Sequence, residues 1–93
     1  MIEPQDYELL TQPERAALRG EYVRAQDSKC HHCGGLLDRE PPEHIRAKRI
    51  DWRRFPPNFT RHPVHLHHSH KTGMTIGAVH ALCNAVLWQY HGE

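Results

Sequence analysis

Four histidines fall within six consecutive positions, in the stretch HLHHSH at residues 65–70, just before the turn sequence Lys71-Thr72-Gly73. Imidazole gives and takes protons near neutral pH and also binds divalent metal ions. The stretch could therefore bind a metal, act in acid–base catalysis, or form a polar strand edge with neither role. Its partners elsewhere in the chain decide between these possibilities.

The three cysteines belong to two half-sites of a metal centre. Cys30 and Cys33 form a Cys-x-x-Cys pair followed by two glycines, and His80 and Cys83 form a His-x-x-Cys pair. Glycines let a loop fold tightly around two thiolates, and residues three apart share a helical face. Three thiolates and one imidazole are a closed ligand set typical of structural zinc. The alternative is that Cys83 is a small core residue and the other two cysteines are incidental.

Length and cysteine count narrow the class of protein. A chain of 93 residues builds a small core that often needs a metal or a partner to stabilise it. Three cysteines cannot all pair as disulfides, and the first residues do not form a basic and then apolar leader, so we expect a cytoplasmic protein. No apolar run approaches the roughly 20 residues that cross a bilayer, so we expect no membrane insertion.

Charge is distributed unevenly along the chain, although the net charge is only +1. The first 14 residues carry four carboxylates and no lysine or arginine, whereas the proline-rich middle is basic. Such a basic segment could contact a phosphate backbone or could simply be a solvated surface. The candidates for contact with DNA are Arg46, Lys48, Arg49, Arg53, Arg54 and Arg61.

Local signals predict the elements that must position these groups. Thr11 and Glu14 have the spacing of a capping box with a proline in the first turn, which predicts a helix over 12–26. Prolines then exclude a long helix in the middle of the chain, where a short element around 45–55 could be helix or strand.

The last third of the chain is predicted to be a β-hairpin followed by a helix. Residues 64–68 and 74–76 have the composition of two strands joined by a turn, and apolar residues recur at helical spacing over 77–90. Adjacent residues of a strand point to opposite faces. His67 and His68 can therefore serve one site only if the strand bends where it enters the turn.

These motifs together resemble one nuclease family. The hairpin sequence HHSHKTG at residues 67–73, followed by Gly77 and by the run His80-Ala81-Leu82-Cys83-Asn84, is similar to the zinc-ribbon branch of the HNH, or His-Me finger, nucleases that includes phage recombination endonuclease VII. The resemblance implies an α+β fold, a ββα-metal nuclease with a structural zinc site and an N-terminal helix. It implies a single domain, with a helical arm (1–29), a zinc knuckle with the basic proline-rich segment (30–63) and the ββα-metal motif (64–93).

The resemblance also implies a role for individual residues. His68 falls on the general base that activates a water molecule. His67 falls on the first ligand of one catalytic divalent ion, which could be Mn²⁺, Mg²⁺, Ni²⁺ or Co²⁺, and Asn84 on a second ligand or an orienting residue. His91 falls near the position of a third ligand. No motif position corresponds to His65, which is expected to be part of a polar edge.

Three residues depart from the endonuclease VII pattern. His67 replaces a carboxylate, Ser69 replaces a second aspartate, and His80 replaces a zinc cysteine. Zinc accepts imidazole in place of thiolate. A nitrogen ligand in place of an oxygen ligand shifts metal preference from Mg²⁺ towards Mn²⁺, Co²⁺ or Ni²⁺.

The function implied is a metal-dependent endonuclease that hydrolyses phosphodiester bonds. It would nick one strand of double-stranded DNA as a monomer or weak dimer, in the cytoplasm of a bacterial or phage-infected cell. Two alternatives remain. A non-catalytic zinc-ribbon DNA-binding module would need the zinc and the basic residues but not His68, and a metal-handling protein would account for the ten histidines.

Overall fold

The computed structural model describes residues 2–92, which form a small α+β domain around a two-stranded antiparallel sheet. A single 3-10 turn precedes the first helix and another lies in the middle of the chain, at Tyr7–Leu9 and Trp52–Arg54. The other elements, in chain order, are α1 (Gln12–Ala25), α2 (Glu43–Arg46), β1 (Val64–His68), β2 (Thr75–His80) and α3 (Ala81–His91). None of the helices in this part of the chain has the length and apolar character needed to cross a bilayer.

Helix α1 begins where the sequence predicts. The hydroxyl of Thr11 accepts a hydrogen bond from the backbone N–H of Glu14, and the Glu14 carboxylate accepts one from the N–H of Thr11, which completes the capping box. Leu18 and Tyr22 are buried on the side of α1 that faces the sheet. This packing fixes which face of α1 turns towards the hairpin.

The hairpin is irregular beside the two adjacent histidines. β1 pairs with β2 from Val64 opposite His80 to His67 opposite Gly77, and the register then shifts so that His68 lies opposite Thr75. The shift leaves one extra residue on β2 and bends the ladder at this point. The irregularity therefore lies directly opposite the junction of His67 and His68.

The structure corrects the predicted start of the last helix. Residues 77–80 continue strand β2, and α3 begins only at Ala81, after His80 with φ −60° and ψ 147°. Ala78 and Val79 are both completely buried although adjacent strand residues point to opposite faces, so both faces of β2 are covered at this point. A strand buried in this way has a continuous apolar sequence that periodicity does not distinguish from a helix.

The segment before α1 is tied to the end of the hairpin. The backbone N–H of Thr75 donates to the carbonyl of Gln5 at 2.8 Å, and the N–H of Tyr7 donates to the carbonyl of Gly73 at 2.9 Å. The hydroxyls of Tyr22 and Thr75 are hydrogen-bonded at 3.0 Å, deep in the core. These contacts place Tyr7 beside the turn that follows His68.

The middle of the chain is helical wherever it is regular. The short helix α2 packs against α3 through the buried Ile45. Farther along, the ring of Phe55 meets that of Trp88 edge-on, with centroids 5.1 Å apart. The undecided element around 45–55 is thus resolved as the end of α2 and a 3-10 turn, both lying against α3.

Candidate metal centre and adjacent histidine cleft

The four predicted zinc ligands converge, since the ligand atoms of Cys30, Cys33, His80 and Cys83 all lie within 4.8 Å of one another. Nδ1 of His80 is 3.4 Å from Sγ of Cys33 and 3.6 Å from Sγ of Cys83. Tetrahedral zinc with bonds of about 2.3 Å to sulfur and about 2.0 Å to nitrogen separates a sulfur from a nitrogen ligand by about 3.5 Å. The cluster fits these distances and could bind a zinc ion.

The protonation of His80 suits this role. Its Nε2 lies 2.9 Å from the carbonyl oxygens of both Leu36 and Arg39, so Nε2 must carry the proton and donate it. In the neutral ring Nδ1 then carries the lone pair, which faces the cysteines. Carbonyl partners that fix the tautomer and the ring orientation in this way are typical of metal-binding histidines.

Backbone N–H groups surround the sulfur atoms. Those of His32 and His80 donate to Sγ of Cys30 at 3.4 and 3.5 Å, and that of Gly35 donates to Sγ of Cys33 at 3.4 Å. Donors of this kind stabilise thiolates over thiols. His80 lies before α3 and not inside it, so the expectation that His80 and Cys83 share a helical face is wrong. The pair instead spans the junction of β2 and α3.

The thiol groups of Cys30 and Cys83 shift each other's pKa through a shared hydrogen bond. A hydrogen bond from the Cys83 thiol, assisted by backbone N–H groups, lowers the pKa of Cys30 to about 4. The same hydrogen bond, together with burial, raises the pKa of Cys83 above the ordinary thiol range. The hydrogen bonds within the cluster therefore favour the thiolate form of Cys30. A divalent cation would displace the thiol protons and satisfy all the sulfur atoms at once.

Beside the metal centre, the side chains of His67 and Asn84 meet. Nδ1 of His67, which is 4% exposed, lies 3.1 Å from Oδ1 of Asn84. This separation fits a hydrogen bond, and it also fits two neighbouring ligands of one octahedral ion, since bonds of about 2.1 Å at right angles place their donor atoms about 3.0 Å apart. Because Asn84 follows Cys83 directly, the candidate metal centre and this amide lie on the same turn of α3.

His65 orients the Asn84 amide. Nδ2 of Asn84 lies 3.1 Å from Nδ1 of His65, which turns Oδ1 towards His67. Burial lowers the pKa of His65, and hydrogen bonds with the backbone of Phe59 and His62 oppose this shift. A neutral imidazole accepts the amide proton on Nδ1. His65 is therefore a partner within the cluster, whereas the sequence predicted a polar edge.

His68 lies against Tyr7. The two rings are stacked, with centroids 3.9 Å apart and planes 13° apart, and His70 approaches edge-on at 5.0 Å. Burial lowers the pKa of His68, the positive charges of His70 and His67 lower it further, and Glu8 has the opposite effect. The imidazole is therefore neutral at neutral pH, the form that accepts a proton.

His65, His68 and Asn84 line one cleft of about 500 Å³. Helix α1 contributes Arg15 and Arg19 to its wall. No carboxylate lines the cleft among the residues that the structure describes, so its lining is cationic or neutral. Tyr7 and the two arginines are cleft residues that the sequence did not predict. The one available signal was that neither arginine has a carboxylate three or four residues away on α1.

The predicted DNA-contacting residues lie elsewhere. Arg46, Lys48, Arg49, Arg53, Arg54 and Arg61 are all exposed, and none of them lines the cleft. Some are engaged locally: Arg53 pairs with Asp51, and the guanidinium of Arg54 lies 4.6 Å from the ring centre of Trp88. Their role in binding DNA stays a prediction.

The structure does not bring His91 to Asn84. The ring of His91, exposed at the end of α3, lies 6.0 Å from that of His32, whereas the Asn84 amide contacts His65 and His67.

Scans against protein-family models, curated proteins and solved structures find no match to this chain.

Proposed function

We propose that this protein is a metal-dependent endonuclease that nicks one strand of double-stranded DNA, with His68 as its general base. One contact carries this proposal: His67 and Asn84, from different elements, meet at 3.1 Å. The next residue, His68, opens on a cleft whose lining, among residues 2–92, contains no carboxylate. A phosphodiester is an anion, and such a lining attracts it.

His67 and Asn84 are the residues that would hold a divalent ion, through an imidazole nitrogen and an amide oxygen. A bound divalent ion supplies charge neutralisation on a non-bridging phosphate oxygen and stabilises the leaving oxygen. His65 keeps the amide oxygen of Asn84 directed towards His67. The chain thereby holds both donor atoms in place before any ligand arrives.

His68 has the features of a general base. Its neutral imidazole can take the proton from an attacking water molecule, and stacking on Tyr7 limits rotation of the ring. The register shift between His67 and His68 supports the proposal that both adjacent histidines serve one site. These two features favour a catalytic role for His68 over a passive place at the strand edge.

The test is a supercoiled-plasmid nicking assay with Mg²⁺, Mn²⁺, Ni²⁺ or chelator. It compares the native chain with His68→Ala and with His44→Ala, an exposed histidine of α2 that lies outside the cleft. We expect His68→Ala to nick about 10² to 10⁴-fold more slowly, as is usual for loss of a general base, and His44→Ala to match the native rate. Zinc content and thermal unfolding must be equal in all three preparations.

Two outcomes would overturn the proposal. Equal nicking by the native chain and His68→Ala would remove His68 from the chemistry. Salt-sensitive binding without nicking in any metal would instead favour the non-catalytic DNA-binding module, which the exposed basic residues outside the cleft could serve.

A further inference from the structure

Arg15 and Arg19 line the cleft but belong neither to the candidate metal centre nor to the proposed base. They lie one turn apart on α1, both half-buried, and both face the cleft that contains His68. Neither has a carboxylate partner, since the ion pairs within residues 2–92 join Arg46 to Glu40 and Arg53 to Asp51. The nearby Glu14 is engaged in the cap of α1.

Arg15 is held rigidly beside the base. Its Nε and Nη2 donate to the backbone carbonyl of Tyr7 at 3.2 and 2.9 Å, and its guanidinium carbon lies 3.8 Å from the centre of the Tyr7 ring. His68 stacks on the same ring at 3.9 Å. Two groups this close to one ring centre must occupy opposite faces. Arg15 and His68 are therefore separated only by the thickness of the Tyr7 ring.

Both arginines keep donors available. Nη1 of Arg15 and the whole guanidinium of Arg19 have no hydrogen-bond partner among residues 2–92. A half-buried guanidinium without an acceptor loses part of its hydration and gains nothing in return. Its planar array of donors matches the oxygens of a phosphate, to which arginine binds in a bidentate manner.

We propose that Arg15 and Arg19 form a phosphate clamp that binds the backbone of the DNA strand to be cut. The clamp rests on the proposed function for the identity of its ligand. Arg15 contacts a phosphate next to the base, and Arg19, one helical turn farther along α1, contacts the strand beside it. The principal DNA-binding surface is then α1 and not the basic segment at residues 46–61.

Arg19 gives the sharper test, because Arg15 also braces Tyr7 whereas the Arg19 side chain makes no hydrogen bond or ion pair within the described residues 2–92. The probe is a fluorescein-labelled DNA duplex, titrated with the full zinc-loaded chain in the presence of EDTA at a concentration that leaves the zinc bound. Anisotropy is recorded at several salt concentrations for the native chain and for Arg19→Ala. The matched control is Arg24→Ala, an exposed arginine of α1 outside the cleft.

We expect Arg19→Ala to weaken binding about tenfold at low salt, as the loss of a charge-assisted hydrogen bond does, and to reduce the slope of log Kd against log salt by about 1. Arg24→Ala should stay close to the native slope and affinity. The clamp is overturned if Arg19→Ala and Arg24→Ala behave alike while thermal unfolding and zinc content are native.

The clamp and the nuclease proposal can fail separately. Binding is measured without cleavage, so a loss of affinity in Arg19→Ala would establish the clamp even if His68→Ala nicked DNA at the native rate. If Arg19→Ala binds DNA with native affinity while His68→Ala is inactive, the clamp alone is refuted and the nuclease proposal stands. As a further check, Arg19→Lys should recover most of the salt slope but only part of the affinity, because lysine keeps the charge without the bidentate geometry.

Discussion

Nδ1 of His67 and Oδ1 of Asn84 lie 3.1 Å apart although 17 positions separate the two residues in the chain. β1 supplies the histidine, and the first turns of α3 supply the asparagine. The residue before Asn84 is Cys83, whose sulfur belongs to the metal cluster. The candidate metal centre and the cleft therefore share one turn of α3, and we expect a change in the metal centre to affect the cleft.

Loss of one cysteine ligand should unfold the domain. Removing Cys33 by Cys33→Ser leaves three ligands, and the free energy of metal binding is shared with that of folding in such centres. We expect the variant to lose its single zinc ion, measured by elemental analysis, and its cooperative thermal transition, measured by circular dichroism. The control is His32→Ala, which lies between the two knuckle cysteines but keeps the backbone N–H that bonds to Cys30. An unchanged melting curve for Cys33→Ser would refute a structural metal.

The catalytic ion should be a borderline metal. His67 presents a nitrogen donor where a carboxylate would favour Mg²⁺, so we expect faster nicking in Mn²⁺ or Ni²⁺ than in Mg²⁺ at equal ionic strength. His67→Asp should shift the preference back towards Mg²⁺ and provides the matched comparison. A strong preference of the native chain for Mg²⁺ would indicate that His67 does not bind the ion.

His65 should support metal binding by holding the Asn84 amide in place. Removing the acceptor by His65→Ala frees the Asn84 amide to rotate, and partners of this type typically contribute about 10 to 100-fold to metal affinity. We expect Mn²⁺ binding in the cleft, measured by electron paramagnetic resonance, to weaken by that factor, and nicking to slow with it. His65→Gln, which retains an acceptor, should recover part of the loss. His62→Ala is the control within the same cleft. Native Mn²⁺ affinity in His65→Ala would show that Asn84 does not depend on it.

Replacement by alanine at Gly77 and at Gly20 should change the free energy of unfolding in opposite directions. A Cβ at Gly77 would lie 2.8 Å from Oε1 of Gln26 and 3.0 Å from Cδ2 of His31, so that Gln26 would lose its hydrogen bonds to the backbone of Ala78. We expect Gly77→Ala to lower the free energy of unfolding by about 1–3 kcal/mol.

Gly20, inside α1, supplies the comparison. A Cβ there makes only an ordinary contact, 3.6 Å from Nη1 of Arg24, and Gly20→Ala should raise the free energy of unfolding by about 0.5–1 kcal/mol. Urea titrations of the zinc-loaded proteins measure both changes. A neutral Gly77→Ala would mean that Gln26 and His31 move aside easily.

Local spacing was sufficient to predict several parts of this protein. The capping box placed the start of α1 at Gln12, because its hydrogen bonds join residues only three apart. The composition of the hairpin gave strand β1 at Val64–His68, and two cysteine-containing pairs gave all four residues of the metal cluster. Each of these features depends on neighbours within a few positions.

The tertiary structure decided what depends on distant contacts. Burial of Ala78 and Val79 made residues 77–80 a strand, a choice that helical periodicity missed. Packing of α1 on the hairpin brought Arg15 and Arg19 into the cleft, and pairing of the N-terminal segment with β2 stacked Tyr7 on His68. The sequence itself determines the types of ligand. The contacts of each side chain depend on which faces of the elements are buried in the core, and that burial is fixed only when all the elements pack together.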